Sequence, residues 1–186
     1  LGAVLASDEC SAELDWGSDV PTPSLLDERV TDGDPAGLLA VYSLSKQSNL
    51  AGYRAALVAG DAALIAQLTQ ACKHAGLMLP APVQAAMAAA LGDDSHVAEQ
   101  KERYRARRAV LRPALEGAGF TVDRSEAGLY LWATRGERCW ATGAWLAERG
   151  ILVAPGEFYG PDGGQHVRVA LTATDERIHE AARRLG

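Results

Sequence analysis

The sequence is poor in cysteine, and this scarcity limits how the fold can be stabilised. Its three cysteines, Cys10, Cys72 and Cys139, are odd in number and lie far apart in the 186 residues. A disulfide framework needs paired cysteines, and a structural zinc site uses ligands that occur in close pairs. The spacing therefore predicts neither, and we expect a protein of the reducing cytoplasm without a metal site.

Long apolar runs and an excess of positive charge are also missing. No apolar segment reaches the roughly 20 residues of a membrane-spanning helix, and the first residues lack the basic leader of an export signal. The net charge is −6 with acidic and basic residues interspersed, so no basic surface for nucleic acid or anionic lipid is indicated. We therefore expect neither a nucleic-acid partner nor a membrane partner.

The residues that are present have the balance of a soluble globular protein, 48% hydrophobic and 23% charged, with enough length for a buried core. Short apolar runs predict strands, and apolar residues at helical spacing predict helices, so the fold class is α/β. The predicted strands are residues 2–6, 38–43, 54–60, 120–123, 128–133, 151–154 and 166–171. The predicted helices are residues 61–75, 83–91, 93–116, 140–149 and 175–184.

One lysine is distinguished by its neighbours. Lys46 follows an apolar run and lies among small and polar residues, with Arg54 eight positions later. A lysine amine attacks a carbonyl only after losing its proton, which a nearby cation or a dry pocket favours. Ser43 and Ser45 add hydroxyls that can hold a phosphate. A lone lysine after a strand is more often a surface residue, but this combination favours an aldehyde-bearing phosphate compound such as pyridoxal phosphate (PLP).

The stretch from Ser43 to Ala56 also resembles the lysine signature of the class I/II aminotransferases, which are PLP enzymes of fold type I. That signature reads small, apolar, small, Lys, then Asn-apolar-x-Gly-x-Arg-apolar-small, and every fixed position is met. The resemblance implies that Lys46 binds the cofactor covalently and that Ser43 and Arg54 hold its phosphate. It also implies a partial large domain with a mixed, mainly parallel sheet and a small α+β C-terminal domain.

A carboxylate precedes this stretch at the end of the first apolar run. Residues 2–6 are predicted to form a buried parallel strand that delivers Asp8 to the edge where ligands collect. The resemblance implies that Asp8 pairs with the pyridinium nitrogen of PLP and keeps it protonated. Three residues later the family usually has a tyrosine for the cofactor's phenolic oxygen, and this sequence has Ser11. Ser11 stays a cofactor-binding candidate, although its shorter side chain would leave a gap for water or another residue.

The last predicted strand contains one cation, Arg168. A buried strand tolerates an arginine only with an anionic partner, so Arg168 is expected to meet a carboxylate. The resemblance implies that it clamps the α-carboxylate of the substrate in a bidentate fork. An ordinary arginine of an edge strand is the alternative.

The resemblance covers the C-terminal half of the family. It implies that residues 1–92 are the C-terminal part of the PLP-binding large domain, that residues 93–112 form an interdomain helix and that residues 113–186 form the small domain. Because the family's first half supplies the rest of the PLP site, we expect this chain alone to bind the cofactor weakly. Activity would then require an N-terminal segment and a homodimer partner.

Three further segments, residues 82–87, 125–132 and 153–160, resemble succinyldiaminopimelate aminotransferases of actinobacterial type. The implied reaction belongs to lysine biosynthesis and moves an amino group from N-succinyl-diaminopimelate to 2-oxoglutarate, so the substrates would be an amino acid and a 2-oxo acid. Two alternatives remain open at this point. One is another aminotransferase or a PLP lyase on the same scaffold, and the other is a truncated, non-catalytic remnant.

Overall fold

The computed structural model describes residues 2–17 and 20–186, and the chain divides into two compact units, residues 1–101 and 102–186. The division lies inside the predicted interdomain segment 93–112. A single helix, Ser95–Gly117, contains it and confirms the long helix predicted there. That the two units are the family's large and small domains stays a prediction.

The first unit contains a three-stranded mixed sheet. Strand β2 (Leu38–Ser43) lies in the middle, pairs in parallel with β1 (Leu5–Asp8) and pairs antiparallel with β3 (Ala56–Gly60). The helices of this unit are α1 (Glu28–Thr31), α2 (Leu44–Gln47), α3 (Ala62–His74), α4 (Ala81–Leu91) and the start of α5 (Ser95–Gly117). The mixed sheet predicted from the sequence is confirmed, with one parallel and one antiparallel pairing.

Burial in this unit differs from the prediction in two places. Strand β1 was predicted to be buried, but Leu5 is 56% exposed, because β1 has only β2 beside it. The apolar face of α3 was predicted to pack in the core, but α3 has no buried residue. Leu64 and Leu68 instead line an open groove with Val4, since no other described element covers this face.

A small apolar core holds the segment that follows β2. Leu44 is 1% exposed and packs with Ala55 and Met87, and partly buried side chains surround this cluster. Full burial of a leucine side chain contributes about 1.5–3 kcal/mol to folding. The start of α2, two residues before Lys46, is therefore fixed to the body of the unit.

The second unit contains a four-stranded antiparallel sheet in the order β4 (Thr121–Asp123), β5 (Tyr130–Thr134), β7 (His166–Ala170), β6 (Ala154–Pro155). Helices α6 (Cys139–Glu148) and α7 (Asp175–Leu185) complete it together with the end of α5. The predicted strand 151–154 is wrong in extent, because only Ala154 and Pro155 pair with β7 and a proline has no N–H with which to continue the ladder. Leu131, Leu146, Val167 and Leu171 are fully buried in the core of this unit.

The helices of the described segments were also tested for length and apolar character. None of those within residues 2–17 and 20–186 is long and apolar enough to cross a membrane.

Candidate functional site

Lys46 lies on a single helical turn at the end of the central strand β2. Ser43 ends the strand in an extended conformation and caps α2, because its Oγ accepts a hydrogen bond from the Ser45 N–H at 3.2 Å. Leu44 and Gln47, three residues apart, are both buried. Ser45 and Lys46 are half-buried on the other side of the turn, so the Lys46 amine is held near the sheet edge without being enclosed.

Two hydroxyls and a permanent cation lie close to this turn. Ser43 Oγ is 2.8 Å from Ser45 Oγ and 3.2 Å from the carbonyl oxygen of Ala55. Arg54, the residue before Ala55, is exposed and has a left-handed backbone with φ of 52°, which is uncommon for a residue other than glycine. This donor set fits a phosphate group, because hydroxyls and a guanidinium both donate hydrogen bonds to phosphate oxygens.

Asp8 lies at the same edge of the sheet. Asp8 is in register with Val41 on the parallel strand β2. The C-terminal ends of both strands therefore lie on the side of the sheet where the Lys46 turn begins. Hydrogen bonds from the Cys10 thiol and backbone N–H lower the pKa of Asp8, and the positive charge of Lys46 adds to this effect. Asp8 is exposed, because among the described residues β1 has only β2 beside it. Its carboxylate nevertheless stays ionised, as pairing with a protonated ring nitrogen requires.

Two residues of the turn after Asp8 differ in their surroundings. Ser11 is exposed, and its carbonyl oxygen accepts the Leu14 N–H at 3.0 Å. Cys10, for which the sequence indicated no role, lies with Sγ 3.9 Å from the Val41 carbonyl oxygen. Burial raises the pKa of the Cys10 thiol, and its hydrogen bond with Asp8 acts in the same direction. Cys10 therefore stays a neutral donor beside Asp8.

Sequence reasoning missed a hydrogen-bonded chain on the far side of the turn. Gln47 Nε2 donates to Ser48 Oγ at 3.2 Å, and Ser48 Oγ lies 2.8 Å from His96 Nε2. His96 Nδ1 lies 3.1 Å from Asp93 Oδ2. His96 was given no role because nothing in its local sequence indicates a contact with Ser48, 48 positions earlier. Only the packing of the folded unit brings the two side chains together.

Arg168 lies in the second unit, whereas the other five candidate residues lie in the first. It occupies the middle of β7, opposite Trp132 on β5 and Ala154 on β6. Its guanidinium carbon lies 4.1 Å from the ring centroid of Tyr130 and 4.9 Å from that of Tyr159.

Among the described residues, the guanidinium of Arg168 contacts two aromatic rings, and its binding of a substrate carboxylate stays a prediction. The negative faces of the π-systems attract the cation. Arg168 Nε is buried and has no hydrogen-bond partner among residues 2–17 and 20–186. A half-buried guanidinium with an unused donor is suited to bind an anionic ligand group.

The lysine turn after the central strand and the carboxylate on the neighbouring parallel strand have the arrangement of PLP-dependent proteins of fold type I. Solved structures agree with this class. An aminotransferase from Neisseria meningitidis superposes with a TM-score of 0.85 at 31% identity, covering 98% of this chain and 48% of that one. A probable N-succinyldiaminopimelate aminotransferase from Thermus thermophilus superposes with a TM-score of 0.80 at 29% identity, covering 99% and 49%.

Sequence comparison narrows the class to a family. Residues 2–185 match the family described as aminotransferase class I and II, so the chain belongs to that family, whose members depend on PLP. It is 63% identical to the probable aminotransferase Rv1178 of Mycobacterium tuberculosis over 99% of this chain and 44% of that protein. It is also 63% identical to the 4-dedimethylamino-4-oxo-anhydrotetracycline transaminase OxyQ of Streptomyces rimosus, over 99% and 51%. The chain spans about half the length of these curated relatives.

Proposed function

We propose that this protein is a PLP-dependent aminotransferase in which Lys46 carries the cofactor. The observation that supports this most directly is the place of Lys46, on a capped turn at the end of β2 with two serine hydroxyls on one side and Asp8 at the same sheet edge. The residues present fit PLP, because they offer an amine for the aldehyde, hydroxyls and Arg54 for the phosphate, and a carboxylate for the ring nitrogen.

Each of these residues has a distinct task in the proposed reaction. When bound, PLP supplies an aldehyde that accepts amino groups and a protonated ring that withdraws electrons. Lys46 Nζ would take the proton from the substrate α-carbon as general base and would deliver it, as general acid, to the cofactor carbon that carries the aldehyde. Asp8 keeps the proton on the ring nitrogen, while Ser43 and Arg54 orient the phosphate. Ser11 is proposed to reach the phenolic oxygen through a water molecule.

Arg168 is proposed to bind the α-carboxylate of both substrates. Its buried Nε without a partner and the rings of Tyr130 and Tyr159 beside the guanidinium support this assignment. Aromatic contacts restrict the orientation of the guanidinium and leave its N–H groups free for a planar ligand. A carboxylate has the planar, two-oxygen geometry that matches this fork.

Replacing Arg168 by lysine is expected to raise KM for both the amino donor and the oxo acid by about tenfold or more. The physical reason is the loss of one charge-assisted hydrogen bond, which contributes about 1.5–3 kcal/mol, when a point charge replaces the planar fork. Steady-state kinetics on Arg168→Lys would measure this effect. Arg138→Lys is the matched control, because the Arg138 side chain is 81% exposed. Equal KM values in wild type and Arg168→Lys would remove Arg168 from the site.

The proposed substrates are N-succinyl-LL-2,6-diaminopimelate and 2-oxoglutarate, which would place the enzyme in lysine biosynthesis. The resemblance of residues 82–87, 125–132 and 153–160 to enzymes of this specificity supports the proposal, as does the printed name of the Thermus thermophilus structure. A second candidate is amino transfer to a polycyclic ketone, which the 63% identity to OxyQ favours.

A panel of amino donors and oxo acids would separate the two candidates. We expect kcat/KM with N-succinyl-diaminopimelate and 2-oxoglutarate to exceed kcat/KM with any polycyclic ketone acceptor. The reverse order of kcat/KM would favour the second candidate. Elimination products without amino transfer would contradict both.

We also propose a homodimer in the cytoplasm. The dimer rests on the resemblance, because PLP sites of this family usually lie at a subunit interface. The cytoplasmic location rests on cysteine usage, and Cys10, Cys72 and Cys139 are free thiols.

A further inference from the structure

The turn that carries Lys46 is too short to be stable by itself. Helix α2 has four residues, and an isolated helix of that length is strongly disfavoured because its first turn fixes several backbone angles for a single hydrogen bond. Ser43 and the buried Leu44 fix the start of the turn. At its end, the N–H groups of Ser48 and Leu50 both donate to the Leu44 carbonyl oxygen, at 3.1 and 3.3 Å. The position of Lys46 therefore depends on what holds Ser48.

A chain of hydrogen bonds holds Ser48 from two sides. On one side the Tyr42 hydroxyl donates to Gln47 Oε1, and Gln47 Nε2 donates to Ser48 Oγ. Burial and the charge of Glu13 raise the pKa of Tyr42 to about 12, so its hydroxyl keeps its proton. Gln47 is 6% exposed, which shields its two hydrogen bonds from water.

On the other side, Asp93 fixes the imidazole of His96. Hydrogen bonds from the Ser95 side chain and backbone N–H, and then from His96, lower the pKa of Asp93, so it is an anionic acceptor for the His96 Nδ1–H. With Nδ1 directed to Asp93, the ring presents Nε2 to the Ser48 hydroxyl, and Nε2 and Oγ lie 2.8 Å apart. These contacts run from Tyr42 through Gln47, Ser48 and His96 to Asp93, and the Tyr42 hydroxyl also lies 3.3 Å from Glu13 Oε1.

Serine, histidine and aspartate in this order also occur in nucleophilic triads, but the surroundings of Ser48 favour an anchor. Its Oγ already accepts the Gln47 amide, and its backbone N–H is bonded to the Leu44 carbonyl oxygen. That N–H is therefore not free to stabilise an oxyanion, which a serine nucleophile needs. Asp93 Oδ1 also accepts the Ser95 N–H at 3.0 Å, so the carboxylate that holds His96 also binds the first residue of α5, the helix on which His96 lies.

We propose that His96, held by Asp93, is a positioning residue for Lys46: it fixes Ser48 at the end of the turn and thereby limits the positions that Lys46 Nζ can occupy. The proposal rests on the proposed function to the extent that Lys46 binds PLP. His96 acts only through Ser48 and touches neither cofactor nor substrate in this role.

The test compares His96→Gln and Ser48→Ala with two controls. Ser48→Thr keeps the hydroxyl and is expected to restore wild-type behaviour, and His74→Gln changes an exposed histidine at the end of α3. Without cofactor, amide hydrogen exchange at Ser48 and Leu50 is expected to be about threefold to tenfold faster in the first two variants, as the loss of one hydrogen bond predicts. The Ile65 amide in α3 is the internal reference.

The second readout is the affinity for PLP, measured by titrating the visible absorbance of lysine-bound cofactor. His96→Gln and Ser48→Ala are expected to weaken the affinity for PLP by about threefold to tenfold, and Ser48→Thr is expected to keep the wild-type affinity. Unchanged exchange in His96→Gln, unchanged affinity despite faster exchange, or covalent labelling of Ser48 by a fluorophosphonate would each overturn the proposal. Absence of lysine-bound PLP from the wild type at saturating PLP, in a protein that includes the expected N-terminal segment, would instead refute the proposed function, and exchange at Ser48 would still decide whether His96 fixes the turn.

Discussion

Replacing Lys46 by alanine, in a protein that includes the N-terminal segment on which activity is expected to depend, should abolish amino transfer. The variant loses the amine that binds PLP and the base that moves the substrate proton, and general acid–base catalysis alone contributes about 10²–10⁴-fold. The fold is expected to persist, because the core around the turn is formed by Leu44, Ala55 and Met87. Turnover and the visible absorbance of lysine-bound PLP should both disappear, while the far-ultraviolet circular dichroism stays unchanged.

The sequence provides a matched control for this substitution. It has three lysines, Lys46, Lys73 and Lys101, and Lys73 is exposed near the end of α3. Lys73→Ala should keep both turnover and absorbance. Substantial amino transfer by Lys46→Ala would show that another group carries the cofactor.

Replacing Gly156 by alanine is expected to destabilise the second unit severely. A Cβ at this position would lie 2.2 Å from the Gly163 carbonyl oxygen, 2.6 Å from the His166 carbonyl oxygen and 2.9 Å from the Trp132 ring. Two of these contacts are with backbone, which cannot move as a flexible side chain can. Overpacking costs about 1–3 kcal/mol, and we expect the upper end of that range or more. At about 4–8 °C per kcal/mol, the midpoint of thermal unfolding should fall by roughly 10 °C or more.

The same substitution at Gly143 should have the opposite sign. Gly143 lies inside α6, and a Cβ there meets no atom within 4 Å. Alanine in a helix interior is about 0.5–1 kcal/mol more favourable than glycine. Calorimetry on Gly156→Ala and Gly143→Ala would measure both effects, and a Gly156→Ala variant as stable as wild type would contradict the packing described around the Pro155–Gly156 turn.

Local signals in the sequence predicted most of the helices and strands. Helix α3 begins after Asp61, whose side chain accepts the N–H groups of Ala63 and Leu64, and ends before Gly76, which has a φ of 72°. Such caps are properties of a few adjacent residues, so they can be predicted without knowing the neighbours in space. The strand predicted at 38–43 was confirmed as well, because its short apolar run is likewise a property of adjacent residues.

Burial and side-chain partners could not be predicted in the same way. The apolar residues of β1 and α3 predict a buried core on their apolar faces. Whether these faces are buried depends on which elements pack against them, and no further element of the described segments covers them. The position of Arg168 in a strand implied an anionic ligand, which stays a prediction, but nothing local indicated the rings of Tyr130 and Tyr159 beside its guanidinium. The contact of His96 with Ser48 joins distant parts of the chain, so it is a result of packing alone.

The candidate site was predicted where a dense local signature existed and missed elsewhere. Ser43, Lys46 and Arg54 belong to one stretch of 14 residues, whose fixed positions leave little room for coincidence. Asp8 and Arg168 were assigned only through their order relative to that stretch. Gln47 and Ser48 lie within the stretch, but their roles become visible only through Tyr42 and His96.

Identifying the lysine that binds PLP tests the account most directly. The protein would be saturated with PLP, reduced with borohydride to fix the linkage, digested, and analysed by mass spectrometry for pyridoxyl groups on its three lysines. We predict that the label is found on Lys46, with at most trace amounts on Lys73 and Lys101. Equal labelling of the three lysines, or labelling that omits Lys46, would contradict it.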